Sequence, residues 1–261
     1  MKCRLSVITP VFNGIRFIEF CIRNVIEQNC PDIEHIIIDG VSTDGTVEVI
    51  QRYATQYPHI RWVSEHDRGQ SDAMNKGIAM AQGEVLSFLN ADDFYQEGAI
   101  CEALDMLRKL SCPTLLIGNC NVWDDDGNFL EVNRPAKVGL LAFLMLYVPA
   151  FPSNPSAYFY HKVLHDKIGP YNIDDHYVMD IDFIFRAFRA AQVMYVDKLW
   201  GNYRYFTDTK TFRDVTSGYN RARVTEIAAF YRKQAPLHYR IISTLFIWLV
   251  NGYKAVRRAV I

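Results

Sequence analysis

Two adjacent carboxylates follow a short apolar run in the first hundred residues. Residues 85–89 are apolar enough for a covered strand, and Asn90-Ala91-Asp92-Asp93 comes directly after them. Mg²⁺ and Mn²⁺ prefer oxygen ligands and commonly keep several waters, so one or two protein carboxylates suffice to bridge such a cation to a diphosphate. The pattern indicates either a divalent-cation site or an N-cap role for Asp93, since Asp is a preferred helix cap.

A second polar cluster occupies residues 65–77, with the sequence EHDRGQSDAMNKG. Asp72, Asn75 and Lys76 stand at i, i+3 and i+4, so they share one face near the start of a predicted helix. One interpretation is a solvated face with an Asp–Lys pair. The other brings Asp72 and Asn75 to a sugar and Lys76 to phosphate, because Lys is a common phosphate ligand.

A third segment, residues 39–45, follows another predicted strand and reads DGVSTDG. It lacks the glycine spacing of a dinucleotide-binding loop and the lysine of a P-loop, so the sequence disfavours nicotinamide and P-loop chemistry. The carboxylate of Asp39, at the end of this strand, could instead accept hydrogen bonds from a nucleobase or ribose.

Two further aspartates open a predicted helix, in Met179-Asp180-Ile181-Asp182. Asp180 lies near the helix N-terminus, where the helix dipole favours the ionised carboxylate. That setting suits a cap and a general base equally. The seven histidines form no HExxH motif and no recognisable Ser-His-Asp arrangement.

Alternating predicted strands and helices position these candidates. The four predicted strands cover residues 5–10, 34–39, 60–65 and 85–89. Helical patterns between them, the first capped by Asn13, are typical of parallel βαβ crossovers and of an α/β sheet covered on both faces. Ligands bind outside the carboxyl ends of such strands. Because Thr9, Asp39 and Glu65 fall there with the acid pair, we expect one shared polar mouth.

The composition bounds the class of protein. The 261 residues are 50% hydrophobic and carry 28 Lys and Arg against 29 Asp and Glu, for a net charge of −1. This balance excludes a disordered chain and gives no electrostatic footprint for a nucleic-acid backbone, so we expect no nucleic-acid partner. The six cysteines form no CxxC pair and the N-terminus has no signal-peptide pattern. We expect reduced, mostly buried thiols in a cytoplasmic protein.

The last forty residues differ in charge from the rest. Residues 221–261 hold eight Lys and Arg against a single Glu, so this tail carries +7 and the preceding residues carry −8. Its apolar run 241–250 is half the length needed to span a bilayer. The tail either packs on the domain or is an interfacial anchor, with 240–261 on anionic lipid and Trp248 and Tyr253 at headgroup level. The second alternative would hold the protein at the inner face of the cytoplasmic membrane.

In their order, these segments resemble inverting family 2 glycosyltransferases. The similarity is specific over about residues 4–100 and looser to about residue 211. It rests on SVITPVFN at 6–13, IDGVSTDGT at 38–46, the 65–77 cluster, AQGE at 81–84 and LNADD at 89–93, then IGPY at 168–171, MDIDFIFR at 179–186 and Tyr203-Arg204. Ordered motifs at family-like spacing make coincidence improbable, whereas one motif alone would not.

The resemblance implies a GT-A fold, Rossmann-like with a mostly parallel central sheet, flanking helices and a C-terminal helical tail. It implies transfer of a sugar with inversion from a nucleotide-diphosphate donor, UDP-sugar first and GDP-sugar next, to a saccharide or lipid-linked acceptor in polysaccharide biosynthesis. A divalent cation, Mn²⁺ or Mg²⁺, would be the cofactor. The implied domain covers 1–215, with a nucleotide-sugar half at 1–100, an acceptor half at 101–215 and the tail at 216–261.

Site residues carry over from the resemblance position by position. Asp92-Asp93 would be the DXD-like metal element, with Asp93 the preferred ligand. Asp180 matches the general base that deprotonates the acceptor, Asp182 is the second candidate, and Asp39 would read the base. The implied donor-binding residues are Thr9, Pro10, Phe12, Asn13, Asp39, Ser42, Asp44, Glu65, Asp67, Asp72, Asn75, Lys76, Asp92 and Arg204.

Two positions depart from the pattern of relatives. Asn90 stands where a fuller acidic motif has another carboxylate, and Phe206 stands where relatives often have His after Tyr-Arg. Phe cannot donate a hydrogen bond to a diphosphate. Arg204, Lys210 or the cation would therefore have to stabilise the diphosphate charge. The departures keep an inactive sugar- or nucleotide-binding module open as an alternative. A nucleotidyltransferase is the other, although residues 9–17 lack its glycine-rich, basic loop.

Overall fold

The computed structural model describes residues 4–175, 178–207 and 219–260. Its first part alternates strand and helix, as the apolar runs predict. The elements are β1 (Leu5–Val11), α1 (Ile18–Glu27), β2 (Ile33–Asp39), α2 (Thr46–Gln56), β3 (Ile60–Ser64), α3 (Gln70–Met80) and β4 (Val85–Phe88). These four strands pair in parallel, because each crossover passes through a helix that covers the sheet.

The second part mixes strand directions and ends in helices. Its elements are β5 (Phe94–Tyr95), α4 (Ala99–Leu107), β6 (Thr114–Trp123), β7 (Phe129–Asn133), α5 (Leu140–Leu144), β8 (Tyr158–His161), α6 (Leu164–Ile168), α7 (Met179–Ala187), β9 (Gln192–Arg204), α8 (Tyr219–Gln234) and α9 (Leu237–Val260). Two short 3-10 turns, Val148–Ala150 and Pro155–Ala157, interrupt the proline-rich segment.

Within the described residues, nine strands form one sheet in the order β3-β2-β1-β4-β8-β6-β9-β5, with β7 on β6. Strand β8 is antiparallel to both β4 and β6, so it joins the parallel part to the rest. Strand β9 runs parallel to β6. The predicted α/β class, with flanking helices and a helical tail, is confirmed. The antiparallel strands escaped prediction because two to five residues give too short a pattern.

The strand register brings the predicted polar residues to one edge. Val11 of β1 lies opposite Asp39 of β2, and Asp39 lies opposite Ser64 of β3. In β4, Phe88 lies opposite Ile8. Strands β1, β2 and β3 therefore end at the same level, β4 ends three residues earlier, and the loops that follow all four lie at this edge.

Alternate residues of β1 face opposite layers of the molecule. Leu5 and Val7 are fully buried with side chains of α1 and α4. Ile8 is buried with side chains of α3, α7 and α8. Burying an aliphatic side chain of this size contributes about 1.5–3 kcal/mol, so both layers are fixed to the sheet. As a result α3 and α7, which carry candidate polar residues, lie in one layer.

Two cysteines differ from the expectation of reduced thiols. Cys30 and Cys101 form a disulfide, although 71 residues separate them in the sequence. The loop after α1 lies against the first turn of α4, which brings the two Cα atoms to 5.6 Å, within the range that a disulfide needs. Cys21 and Cys120 are buried free thiols, as expected.

The helical tail packs against the second layer at its first helix. The Tyr231 ring of α8 stacks on Phe185 of α7 with centroids 4.8 Å apart, and Arg232 donates to the carbonyl of Leu144, at 2.6 Å. Across the described part of the chain, no helix combines the length and the apolar character that crossing a bilayer requires.

Candidate active site

The loops after β1 and β2 are joined through Asp39. This carboxylate is fully buried and accepts hydrogen bonds from the Ser42 backbone N–H at 3.0 Å, the Ser42 hydroxyl and the Ser64 hydroxyl at 2.6 Å. The Ser42 hydroxyl in turn accepts the Asn13 N–H at 2.7 Å, and the Asn13 side chain accepts the Thr43 N–H at 2.9 Å. Asp39 therefore holds the loops after β2 and β3 in place at this end of the sheet. Its role in hydrogen bonding to a nucleobase stays a prediction.

The predicted N-cap role of Asn13 is wrong. Helix α1 begins at Ile18 without a side-chain cap, because Asn13 is held by the β2–α2 loop instead. Asp44 takes part in the same crossing: it accepts the Thr46 N–H at 3.1 Å and the Ile15 N–H at 3.0 Å. The loops after β1 and β2 thus provide hydrogen-bond acceptors for each other's backbone N–H groups. No sequence pattern within residues 13–18 predicts these contacts.

An exposed ring and a carboxylate flank a glycine beside these loops. A Cβ at Gly40 would lie 2.8 Å from Oδ2 of Asp67 and 3.3 Å from Cδ2 of Phe12. Phe12 is 66% exposed, although large aromatic rings are usually covered. Thr9 differs, because its hydroxyl is buried against Nε2 of His35, at 2.9 Å. Phe12, Gly40 and Asp67 therefore form a narrow cradle open to solvent.

The polar face of α3 is largely engaged within the protein. Lys76 Nζ lies 3.0 Å from Glu65 Oε1 and 3.8 Å from Asp72 Oδ2. The Asn75 side chain donates to the Tyr171 carbonyl and accepts the Tyr171 N–H, both at 2.9 Å. These contacts brace the loops around the mouth. The donor-binding roles of Asp72, Asn75 and Lys76 stay predictions.

The acid pair lies at the end of β4. Asp93 is fully buried, and its Oδ2 accepts the side-chain amides of Asn90 at 2.9 Å and Asn154 at 2.8 Å. Its Oδ1 accepts the Arg204 N–H at 3.0 Å. Burial, together with the neighbouring charge of Asp92, raises the pKa of Asp93 well above its ordinary value, and burial raises the pKa of Asp92.

The role of this pair in holding a divalent cation stays a prediction. Two neighbouring carboxylates that resist ionisation are stabilised as anions by a nearby positive charge. In the ranges that the structure describes, no group of three or more His, Cys, Asp or Glu side chains could hold a metal. A cation on Asp92 and Asp93 would therefore take its other ligands from water and a diphosphate, as Mg²⁺ commonly does. Asn90 supports Asp93 by donating to it rather than adding a charge.

A pocket of about 430 Å³ opens beside the acid pair. Its walls are formed by Arg16, Phe17, Phe94, Trp123, residues 124–127, Arg204 and Phe206. The Arg204 guanidinium lies 4.6 Å from the Phe20 ring centroid and 5.0 Å from that of Phe94, and it donates to the Asp92 carbonyl at 3.2 Å. Burial lowers the pKa of Arg204 despite the nearby acids.

Sequence reasoning missed Arg16 and Asn154. Arg16 lies against Phe206, 190 positions away in the sequence, and Asn154 contacts Asp93 from a proline-rich loop. No local pattern marks either residue, because each acts on a partner that only the fold brings near. Lys210, considered as a diphosphate ligand, lies outside the described residues.

The two aspartates of α7 have different surroundings. Asp182 accepts a hydrogen bond from Arg186 Nε at 2.8 Å and another from the Tyr231 hydroxyl at 2.7 Å. Asp180 points elsewhere, because residues two apart on a helix do not share a face. Its Oδ1 lies 2.9 Å from the Ile181 N–H. The general-base roles stay predictions, and the contacts of Asp182 favour Asp180.

The first turn of α3 connects the acid pair to α7. The Gln70 side chain donates to Asn90 Oδ1 at 2.9 Å, and Asn90 donates to Asp93. The next residue, Ser71, has its hydroxyl 2.7 Å from Met179 Sδ, directly before Asp180. The first turn of α3 therefore links the acid pair to the start of α7.

Solved structures and relatives share this architecture. The chain is 30% identical over 128 residues to a chondroitin synthase of Escherichia coli, a match that covers 49% of this chain and 18% of that protein. S. aureus TarS 1-349 in complex with UDP-GlcNAc superposes with a TM-score of 0.70 at 17% identity, over 94% of this chain and 70% of that chain. The mannosyltransferase PcManGT of Pyrobaculum calidifontis, solved with GDP-Man and Mn²⁺, gives 0.57 at 16% identity, over 96% and 86%.

These likenesses confirm the expected GT-A fold. The chain spans less than half the length of the first curated relatives that it matches. The family model described as glycosyl transferase family 2 matches residues 6–149. Because that match covers more than half of the chain, the protein belongs to glycosyl transferase family 2.

Proposed function

We propose that the protein transfers a sugar from a nucleotide-diphosphate donor to a hydroxyl of a saccharide or lipid-linked acceptor, with inversion. The observation that carries the proposal is the contact of Gln70 with Asn90 and of Ser71 with Met179. Neighbouring residues of α3 thus link the acid pair, which would hold the diphosphate, to the helix that carries the proposed general base. Family membership favours this reaction over nucleotidyl transfer.

The nucleotide would bind in the cradle of Phe12, Gly40 and Asp67. An exposed aromatic ring offers a stacking surface for a base, and a carboxylate accepts hydrogen bonds from a base or ribose. A side chain at position 40 would fill the gap between them. UDP-sugar is the favoured donor because TarS has been solved with UDP-GlcNAc, and GDP-sugar is next because PcManGT has been solved with GDP-Man.

The diphosphate would lie near the end of β4. Asp92 and Asp93 would hold a divalent cation, Mn²⁺ or Mg²⁺, which when bound supplies positive charge to the leaving group. The Mn²⁺ in the PcManGT complex supports this cofactor. Arg204, which donates to the Asp92 carbonyl, would add a positive charge, and its two aromatic neighbours keep the guanidinium in place.

Asp180 would act as the general base. The acceptor oxygen forms a bond to the anomeric carbon while its proton passes to the Asp180 carboxylate. The bond from that carbon to the diphosphate oxygen breaks, and its electron pair leaves on the diphosphate. Attack from the face opposite the leaving group inverts the configuration. Asp182 suits this role less, because Arg186 and Tyr231 occupy its two oxygens.

A donor screen followed by product analysis tests the proposal. In a thermal-shift panel of nucleotide sugars with Mn²⁺, a UDP-sugar should raise Tm, because a ligand that binds only the native state stabilises it according to its affinity. NMR of the product with a saccharide acceptor should then show the anomeric configuration opposite to that of the donor. If no nucleotide sugar raises Tm, the proposal fails; a retained configuration would refute the inverting mechanism.

A further inference from the structure

The pocket beside the acid pair holds two guanidinium groups, those of Arg16 and Arg204. The Arg16 guanidinium lies 4.9 Å from the Phe17 ring centroid and 5.2 Å from that of Phe206. These two rings stack on each other with centroids 5.2 Å apart and an angle of 18° between their planes. Arg16 is therefore held over an aromatic platform at the pocket wall.

The two guanidiniums form no salt bridge with a described carboxylate, although Arg204 lies beside the acid pair and donates to the Asp92 carbonyl. Among the described residues, no salt bridge involves Arg16 or Arg204, whereas Arg23 of α1 pairs with Glu27. Both guanidiniums line the same pocket. Two like charges that face one cavity are stabilised by an anion between them.

The acidic hairpin in the same wall is mostly engaged elsewhere. Asp124 accepts the N–H groups of Asp126 at 3.0 Å and Asn128 at 2.8 Å, so it closes its own turn. Asp125 accepts the Thr207 hydroxyl at 2.7 Å and the Thr207 N–H. Two of the three carboxylates thus have oxygens engaged by N–H and hydroxyl groups of the loops, and the guanidiniums are the hydrogen-bond donors that this wall offers to an anion.

We propose that Arg16 and Arg204 clamp a diphosphate group in this pocket, with Arg16 supplying the positive charge that Phe206 cannot. The inference rests on the proposed function and deepens it. An Arg presents a permanently charged, planar set of donors that binds phosphate oxygens in pairs. The diphosphate comes either from the sugar donor or from a lipid-linked acceptor, and both present the same oxygens.

Calorimetric titration of Arg16→Gln tests the clamp, with Arg23→Gln as the matched control. The control removes one exposed arginine of the same segment outside the pocket. UDP, uridine and inorganic pyrophosphate are the probes for the donor, and farnesyl diphosphate added to UDP-saturated protein is the probe for the acceptor. Each titration is run with Mn²⁺.

For a donor diphosphate, Arg16→Gln should bind UDP and pyrophosphate about 10- to 100-fold more weakly than the unaltered protein, since hydrogen bonds between charged groups are worth that much. Uridine binding, Tm and Arg23→Gln should be unchanged. Arg16→Lys should recover part of the loss. If only farnesyl diphosphate binding falls, the clamp holds the acceptor instead.

The outcomes separate the clamp from the proposed function. Equal affinities of Arg16→Gln and the unaltered protein for all three diphosphate compounds would overturn the clamp and leave the function standing. Pyrophosphate binding that needs Arg16, in a protein that binds no UDP and no nucleotide sugar, would support the clamp and overturn the function. Absence of any binding would overturn both.

Discussion

At the scale of single residues, the role that a side chain can play depends on hydrogen-bond partners that lie far from it in the sequence. Asp180 and Asp182 are both aspartates, and both lie in the first turn of α7. Asp182 accepts hydrogen bonds from Arg186 and from the Tyr231 hydroxyl, and these contacts tie it to its own helix and to α8. These contacts favour a structural role for Asp182, and the general-base role of Asp180 stays a prediction.

Asp180→Asn should therefore lose turnover by about 10²- to 10⁴-fold, the usual contribution of a general base. Its affinity for UDP should stay the same, because Asp180 acts on the acceptor. Steady-state transfer assays and calorimetric titration measure the two quantities. Asp182→Asn is the control: it should lower Tm by loosening α7 from α8 while leaving turnover within about threefold. The opposite result for the two variants would exchange their roles.

The acid pair leads to a second prediction at this scale. Asp92→Asn removes one of two coupled carboxylates, so UDP should no longer bind more tightly with Mn²⁺ than without it. Calorimetric titration of UDP in the presence of Mn²⁺ or EDTA checks this. Asp126→Asn, which removes an exposed acid from the same pocket, should keep the Mn²⁺ dependence. If Asp92→Asn also keeps it, the cation is held elsewhere.

At the scale of elements, the sequence predicted what depends on local periodicity and missed what depends on distant contact. The apolar runs gave β1, β2 and β4 because these strands are buried on both faces, and they gave β3 although it is only partly buried. The acid pair was predictable because it directly follows one of these strands. The Asn13 cap failed because the loop after β2 competes for Asn13, and the Cys30–Cys101 disulfide was missed because 71 residues separate the cysteines.

The pairing of β1 and β2 contains a buried histidine that makes stability depend on pH. Burial lowers the pKa of His35 to about 3, and Nε2 contacts the Thr9 hydroxyl at 2.9 Å. The folded pKa lies below the unfolded value of about 6.5. The stabilisation is thus complete above pH 6.5 and is lost as the pH falls toward 3.

We expect His35 alone to reduce the free energy of unfolding by about 2 kcal/mol between pH 7 and pH 5, because each unit of pKa shift corresponds to about 1.4 kcal/mol. Urea unfolding at a series of pH values measures this slope. His35→Gln should have a shallower slope over that interval. His238→Gln, which alters an exposed histidine, should match the unaltered protein. Equal slopes for all three proteins would mean that His35 is protonated without cost.

At the scale of the whole molecule, the near-neutral charge separates into an acidic body and a basic tail. The body carries the acid pair and the α7 aspartates, and α9 contains no acidic residue. The sequence could not decide whether the tail packs or anchors, because both need one apolar face. In the structure, Ser243 is buried and Tyr239 packs on the core. Among the α9 side chains that the structure describes, the large apolar ones left exposed are Leu237, Ile241, Ile242, Leu245, Trp248, Leu249 and Tyr253.

Helix α9 therefore packs along one side and exposes an apolar stripe along another, which suits binding to an anionic lipid surface. Trp248 is 70% exposed and Leu245 55%, and burying two such side chains in a membrane interface should stabilise binding by about 2 kcal/mol or more. Trp248→Glu/Leu245→Glu, or deletion of 240–261, should weaken binding to phosphatidylglycerol vesicles at least tenfold in sedimentation assays. Val148→Glu, at an exposed apolar position outside α9, should not. Added salt should weaken binding of the unaltered protein, because salt screens the attraction between the lysines and arginines of the tail and the anionic lipid.

If the double variant sediments with the vesicles as well as the unaltered protein does, α9 is a packing helix and the lipid surface is not its partner.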